Sequence, residues 1–119
     1  MNKPKLLFLI DPNNSWIYKF VKNYNFKIKK KFSIKISKNI KLSKRSDLIF
    51  LMNYTKKLNN KFLITNPNTF LVHESDLPKD KGFAPVANQV LKGKNIIKMS
   101  LIKVSNDVDG GDIYKKKTF

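Results

Sequence analysis

The sequence contains no cysteine, a single histidine and a single arginine. Lack of cysteine excludes disulfides, thiolate metal sites and a cysteine nucleophile, and it fits a reducing cytoplasm. One histidine among scattered carboxylates leaves no metal site to expect. Long apolar runs are missing too. Near the start only Leu6 to Ile10 is continuously apolar, and Asp11-Pro12 closes it. That is too short for a signal-peptide core or a membrane span, so the expectation is a soluble, cytoplasmic protein with no membrane partner.

Scarcity of arginine bears on the net charge of +17. Residues 1–72 carry 16 basic and 2 acidic side chains, against 9 and 6 in residues 73–119. Such a balance attracts polyanions or phosphorylated small molecules. Nucleic-acid sites, however, lean on arginine for bidentate contacts, and of the 25 basic residues only Arg45 is one. Lysine, asparagine and isoleucine are all abundant, as AT-rich coding produces. Nucleic acid therefore ranks behind a small-molecule partner.

Hydrophobic residues make up 41% of the 119, enough for one domain, residues 1–119, with a single core. Leu6 to Ile10 and Asp47 to Met52 are runs of the kind found in strands buried on both faces, and Phe70-Leu71-Val72 ending at His73 is a third. Adjacent and parallel strands are expected at 5–11, 47–52 and 69–73. Between the first two, Asn13-Asn14-Ser15 supplies N-cap residues for a helix ending near Asn23. Its apolar face is Trp16, Ile17, Phe20 and Val21, which places Trp16 in a core or an interface. Residues 26–36 alternate at period two, as an edge strand does, and residues 37–46 read as a loop. Thr55 to Phe62 suggests one or two helical turns. Val86, Val90 and Leu91 mark a short helix closed by Gly93, followed by a strand at Ile96 to Val104 and a Gly-rich turn at Asp107 to Asp112. Strands alternating with helices predict an α/β fold, a Rossmann-like three-layer α/β/α arrangement around a mainly parallel sheet. Ligands in such folds sit beyond the carboxyl ends of the strands, where Asp11 to Ser15, Asn53-Tyr54 and His73 to Asp76 fall.

His73 ends a predicted buried strand and opens the run His73-Glu74-Ser75-Asp76-Leu77-Pro78. Gly82 and Pro85 follow, then Asp109-Gly110-Gly111-Asp112-Ile113-Tyr114. This pattern, His-x-Ser-x-Leu-Pro, Gly-x-x-Pro, Asp-x-Gly-Asp-Ile, resembles the folate-dependent formyltransferases. That family includes enzymes acting on methionyl-tRNA, on glycinamide ribonucleotide and on amino sugars. The wording of the His73 to Lys79 segment, with Asp11-Pro12-Asn13-Asn14-Ser15-Trp16-Ile17, is most similar to the sugar N-formyltransferases. The resemblance is dense over residues 66–116 and thinner over 5–20 and 47–58.

It implies formyl transfer from 10-formyltetrahydrofolate, without a metal, to the amine of a nucleotide-linked amino sugar. Methionyl-tRNA is the rival acceptor, and a catalytically weak folate-binding remnant is the rival outside enzyme chemistry. By resemblance His73 is the acid/base residue and Asp109 its carboxylate partner. A histidine suits that proton traffic, because its two ring nitrogens exchange roles near neutral pH. The family usually places an asparagine two positions before the histidine as oxyanion donor, and this chain has Leu71 there. Thr69, one step further back on the same strand face, is the expected substitute. The pterin slot is implied at Leu51, Met52, Asn53 and Tyr54 and in the loop Ser105, Asn106, Asp107 and Val108. Ser75 is expected to bond backbone beneath the histidine, and Asp76 to meet a substrate amine or cap the turn. Family members normally continue past the segment where this chain stops. The resemblance therefore implies a C-terminally truncated core, with homodimerisation left open.

Overall fold

The computed structural model describes residues 2–82 and 84–119. They fall into two compact units, one up to Thr69 and one from Phe70 to Phe119. The class is the expected Rossmann-like α/β one.

In the first unit three strands run parallel, with β1 (Lys5–Ile10) between β2 (Ser33–Ser37) and β3 (Leu48–Met52). The apolar run decides this. Leu6, Leu7, Leu9 and Ile10 of β1 are all buried, as are Ile49 and Leu51 of β3. A strand apolar on both faces belongs at the centre of a sheet, where burial of each such side chain stabilises by about 1.5–3 kcal/mol. Helix α1 (Ser15–Asn23) follows β1 as predicted. Its inward residue is Val21, whereas Trp16 is 65% exposed and Phe20 63%. Of the core or interface expected for Trp16, the core is ruled out: the residues facing the sheet lie on the Ile17–Val21 side of the helix, and Trp16 points away.

Two other local readings change. Residues 26–36 are not one strand; Lys27–Lys30 is a 3-10 turn and only Ser33–Ser37 pairs, because the lysine run offers no second apolar face to bury. Residues 40–45, read as loop, form a 3-10 helix whose cap is Asn39, its side chain accepting from Lys41 N–H. The helix expected over Thr55 to Phe62 is shifted: α2 spans Asn60–Thr65, with the Asn59 side chain accepting from Phe62 N–H. Thr55 cannot join it because both its amide and its hydroxyl are committed to Asp11.

In the second unit β4 (Thr69–His73) enters from the boundary and pairs antiparallel with β5 (Lys98–Lys103), which pairs antiparallel with β6 (Ile113–Thr118). Helix α3 (Pro85–Leu91) lies between β4 and β5 in sequence. Gly93 ends it in the left-handed conformation at φ +75°, which glycine adopts at no steric cost. Strand β6 was not anticipated; all six of its residues are exposed, so no hydrophobic period marks it. Among the described residues no helix is long and apolar enough to cross a membrane.

Candidate active site

His73 is the last residue of β4, opposite Ser100 of β5, and it is 5% exposed. Its ring has a partner at each nitrogen. Nε2 lies 2.9 Å from the Asp80 carbonyl oxygen, and Nδ1 lies 3.5 Å from Oδ1 of Asp109. A carbonyl only accepts, so Nε2 carries the hydrogen of that contact. The Nδ1 contact is longer than a hydrogen bond and becomes an ion pair when the ring is charged. The other oxygen of Asp109 accepts from Gly82 N–H at 2.8 Å. One nearly buried carboxylate thereby ties the end of β4, the loop 74–82 and the turn 105–112 together.

The backbone that achieves this is unusual. Asp80 and Asp109 are both left-handed, at φ +56° and +51°, and so is Ala84 ahead of α3 at φ +51°. Non-glycine residues held there cost about 1–3 kcal/mol each and persist only where surrounding bonds fix them. The bonds are present. Ser75 bonds backbone as expected, its hydroxyl donating to Lys79 C=O at 2.8 Å. Ser100 donates to Ser75 C=O and accepts from Leu77 N–H. Gln89 of α3, 1% exposed, donates to Glu74 C=O at 2.6 Å and accepts from Lys98 N–H. Asp80 is held by Lys92 at 2.6 Å and Lys94 at 4.0 Å, and the Lys92 ammonium foremost keeps its carboxyl below the usual range. Asp76 meets Lys116 at 2.7 Å and Lys98 at 3.4 Å, and the Lys116 hydrogen bond chiefly lowers its carboxyl. Asp76, expected to meet a substrate amine or cap the turn, is thus engaged by two ammoniums of the chain itself.

Gly111 is fixed by a close approach. A Cβ there would stand 1.6 Å from the Lys103 carbonyl oxygen, on the residue next to Asp112, whose own carbonyl accepts from Lys103 N–H. The Asp109 turn is seated on β5 through that contact.

Thr69, the expected oxyanion donor, has its hydroxyl engaged elsewhere in this structure. Its hydroxyl donates to Asn66 C=O at 2.7 Å, and it begins the strand that His73 ends. Four residues of strand at about 3.3 Å each separate the two by roughly 13 Å. Leu71, between them and opposite Ile102, is half-buried and apolar.

In the first unit, the segment expected to hold pterin begins at the buried end of β3 with Leu51 and Met52. Asn53 then turns left-handed at φ +50° and is exposed, and Tyr54 is half-buried. The organiser is Asp11, 1% exposed. Its Oδ1 accepts from Asn13 N–H at 2.9 Å; its Oδ2 accepts from Thr55 N–H at 2.9 Å and from the Thr55 hydroxyl. The Thr55 hydroxyl, then the Thr55 and Asn13 amides, hold this carboxyl below the usual range, against the opposing effect of desolvation. Burial first, and the Asp11 charge second, push the Tyr54 phenol up, so it remains a neutral hydroxyl. The N-cap expected from Asn13-Asn14-Ser15 is replaced: Asn14 caps α1 with no side-chain bond, and Asp11 takes the Asn13 amide.

Ser105, Asn106, Asp107 and Val108 are exposed, with Val108 at 62% and the Ser105 hydroxyl donating to Asp107 C=O. Among the described residues no group of three metal-ligating side chains gathers.

The sequence marks Asp11 as a strand stop at the ligand end of the sheet but not as a buried acceptor, and Gln89 and Ser100 are organising residues outside the sequence-predicted set. Each is a polar residue inside or directly after an apolar run, the pattern that betrays a buried, fully bonded group.

Comparisons with known proteins bear on the family and the fold. A family model described as formyl transferase matches residues 9–119. A methionyl-tRNA formyltransferase of Fervidobacterium nodosum is 32% identical over 75 residues, 63% of this chain and 24% of that protein. A structure of HypX from Aquifex aeolicus superposes with a TM-score of 0.78 at 19% identity, over 99% of this chain and 22% of that one. Methionyl-tRNA formyltransferase from Clostridium thermocellum gives 0.76 at 22% identity, over 97% of this chain and 52% of that one. Phosphoribosylglycinamide formyltransferase from Streptococcus pneumoniae gives 0.64 at 16%, over 98% and 81%. At those identities the structural matches establish the fold. The chain spans about a quarter of the Fervidobacterium nodosum relative.

Proposed function

The chain belongs to the formyl transferase family, and on that premise we propose that it passes a formyl group from 10-formyltetrahydrofolate to the amine of a nucleotide-linked amino sugar. The observation that carries the reading is the His73–Asp109 pair, brought to 3.5 Å from 36 positions apart with both side chains nearly buried. When bound, the folate supplies the formyl carbon and takes up a proton as it leaves. His73 does the proton work. Its Nε2 hydrogen is fixed by the Asp80 carbonyl, so the Nδ1 lone pair is the base that receives the amine proton. While on the ring the proton lies between Nδ1 and Asp109, whose carboxylate stabilises the imidazolium without keeping it, and from there it passes to the departing folate nitrogen. Gly82 N–H, bonded to the same carboxylate, keeps Asp109 in register.

We assign folate contacts to Leu51, Met52, Asn53 and Tyr54 and to Ser105, Asn106, Asp107 and Val108. The amino-sugar acceptor rests on the wording of residues 11–17 and 73–79; the relative in Fervidobacterium nodosum is named for methionyl-tRNA. The setting proposed is the cytoplasm, in keeping with a chain that has no cysteine.

A second reading has an observation behind it. Leu71 cannot donate to an oxyanion and the Thr69 hydroxyl is committed to Asn66, so folate binding with slow chemistry is the alternative. Loss of one oxyanion donor costs roughly 100- to 1,000-fold in rate.

The test is formyl transfer to a panel of nucleotide-linked amino sugars and to methionyl-tRNA, with His73→Ala and Asp109→Asn as controls. The proposal expects turnover on a sugar, lowered about 100- to 10,000-fold by His73→Ala. Turnover on methionyl-tRNA alone replaces the acceptor. Folate binding with no turnover on any acceptor establishes the second reading.

A further inference from the structure

Formyl transfer makes no use of a groove of about 410 Å³ beside β2, the edge strand of the first unit. Its floor is Ile34 and Ile36, alternate residues of β2 that share one face and stay half-buried. Its wall is aromatic. Tyr24 and Phe26 meet edge to face at 4.9 Å, and Phe26 stacks on Phe8 at 4.9 Å, which fixes the pair. Its rim carries two ammoniums. Lys3 donates to Lys29 C=O at 3.2 Å, and Lys29 donates to the Asn25 side chain at 2.8 Å. Each ammonium has three donors, so two remain on each after those bonds. Among the described residues neither has a carboxylate partner within ion-pair distance.

The charge around the groove is one-sided. From Pro12 to Ser46 the chain holds 11 basic residues and no acidic one. Codon bias explains why those cations are lysines, but it does not supply two of them at the rim of an aromatic groove. An apolar floor, a rigid aromatic wall and unpaired ammoniums together select a ligand with a flat ring and an anion attached. The volume lies within the range of small-molecule sites, about 300–1,000 Å³.

We propose that this groove binds a nucleoside phosphate, its base against Tyr24 and Phe26 and its phosphate on Lys3 and Lys29. Aromatic stacking tolerates any base, so the site selects for phosphate and a ring more than for base identity. The proposal stands apart from formyl transfer and uses none of its residues.

Titration of the intact protein with uridine monophosphate, by isothermal calorimetry or chemical-shift changes, tests it. Uridine, inorganic phosphate and octanoate serve as partial ligands. The expectation is saturable binding with a dissociation constant of about 0.1–1 mM, and at least about tenfold weaker binding of uridine or phosphate alone. Tyr24→Ala and Lys29→Ala, both at exposed positions, are each expected to weaken binding at least about fivefold, with the effect of Lys29→Ala shrinking in high salt. Equal affinity for inorganic phosphate would reduce the site to bulk charge and overturn the proposal. So would tighter binding of octanoate, no saturation by about 10 mM, or variants that bind as the parent does.

Discussion

Replacing Asp11 by asparagine is the sharpest test of how the first unit holds its strand ends together. The carboxylate accepts three hydrogen bonds with its two oxygens, one from Asn13 and two from Thr55. Asparagine keeps one acceptor oxygen and turns an NH2 toward whichever partner loses it. If the oxygen stays on Thr55, the Asn13 amide faces a donor; in the other orientation the Thr55 amide does. Either way one N–H of a part-buried bond is left unsatisfied, at about 1–3 kcal/mol. Taking about 2 kcal/mol, a domain of this size loses roughly 5–10 °C in Tm.

The pH dependence carries the proof. The Asp11 carboxyl is lowered in the folded state from an ordinary value of 3.8. Its contribution is therefore complete above that value and is lost as pH falls through the lower, folded one. The stability gap between the parent protein and Asp11→Asn is expected to be widest near neutrality and to narrow below about pH 4. Urea unfolding at a series of pH values, followed by the fluorescence of Trp16, measures it. Thr55→Ser retains the hydroxyl and is expected to be near neutral; Thr55→Val removes one bond of the three and is expected to cost about 1 kcal/mol. An Asp11→Asn gap that is the same at pH 7 as in acid would refute the reasoning, because the loss would then owe nothing to the charge.

Gly111→Ala is expected to unseat the Asp109 turn, since its Cβ would overlap the Lys103 carbonyl; a fall in Tm with loss of formyl transfer would show both effects, and an unchanged Tm would sink the idea. Gln89→Leu, close in volume, leaves the Glu74 carbonyl and the Lys98 amide without their partner, and chemical denaturation is expected to show a loss of about 2–4 kcal/mol. Leu71→Asn returns a donor to the strand face of His73, and single-turnover kinetics are expected to show formyl transfer about tenfold faster or more, at the expense of some stability. No gain in rate would mean that another group already stabilises the oxyanion.

The parts of the fold legible in the sequence are those where burial dictates residue type. β1 and β3 lie in unbroken apolar runs because both their faces are covered, and α3 stops at Gly93 because a left-handed residue ends it. The misread parts lack that dictation. Ile113 to Thr118 is a strand through its backbone pairing with β5, and Lys115, Lys116 and Lys117 carry no apolar period. The alternation over Phe26 to Ile36 was real only at Ile34 and Ile36, where the chain pairs with β1. Asn59 was a readable cap, but the apolar residues before it drew the helix forward. One of them, Leu58, is buried without being helical.

The site divides the same way, between side chains and backbone. His73 and Asp109 were reached through resemblance, since nothing in a 36-residue separation says that two side chains meet. The atoms that orient them are beyond any reading of residue types: the Asp80 carbonyl on Nε2 and the Gly82 amide on the carboxylate. Both depend on left-handed turns at Asp80 and Asp109, positions where a sequence reader expects glycine. The strain at those turns is held by Lys92, Ser75, Ser100 and Gln89, none of which touches His73 through a side chain bond. A chain that spends several polar side chains to fix two strained backbone atoms keeps the imidazole's orientation even where the usual oxyanion donor is leucine. On the proposed function, the imidazole is therefore the best-fixed part of the site, and a deficit in rate would belong to the oxyanion side.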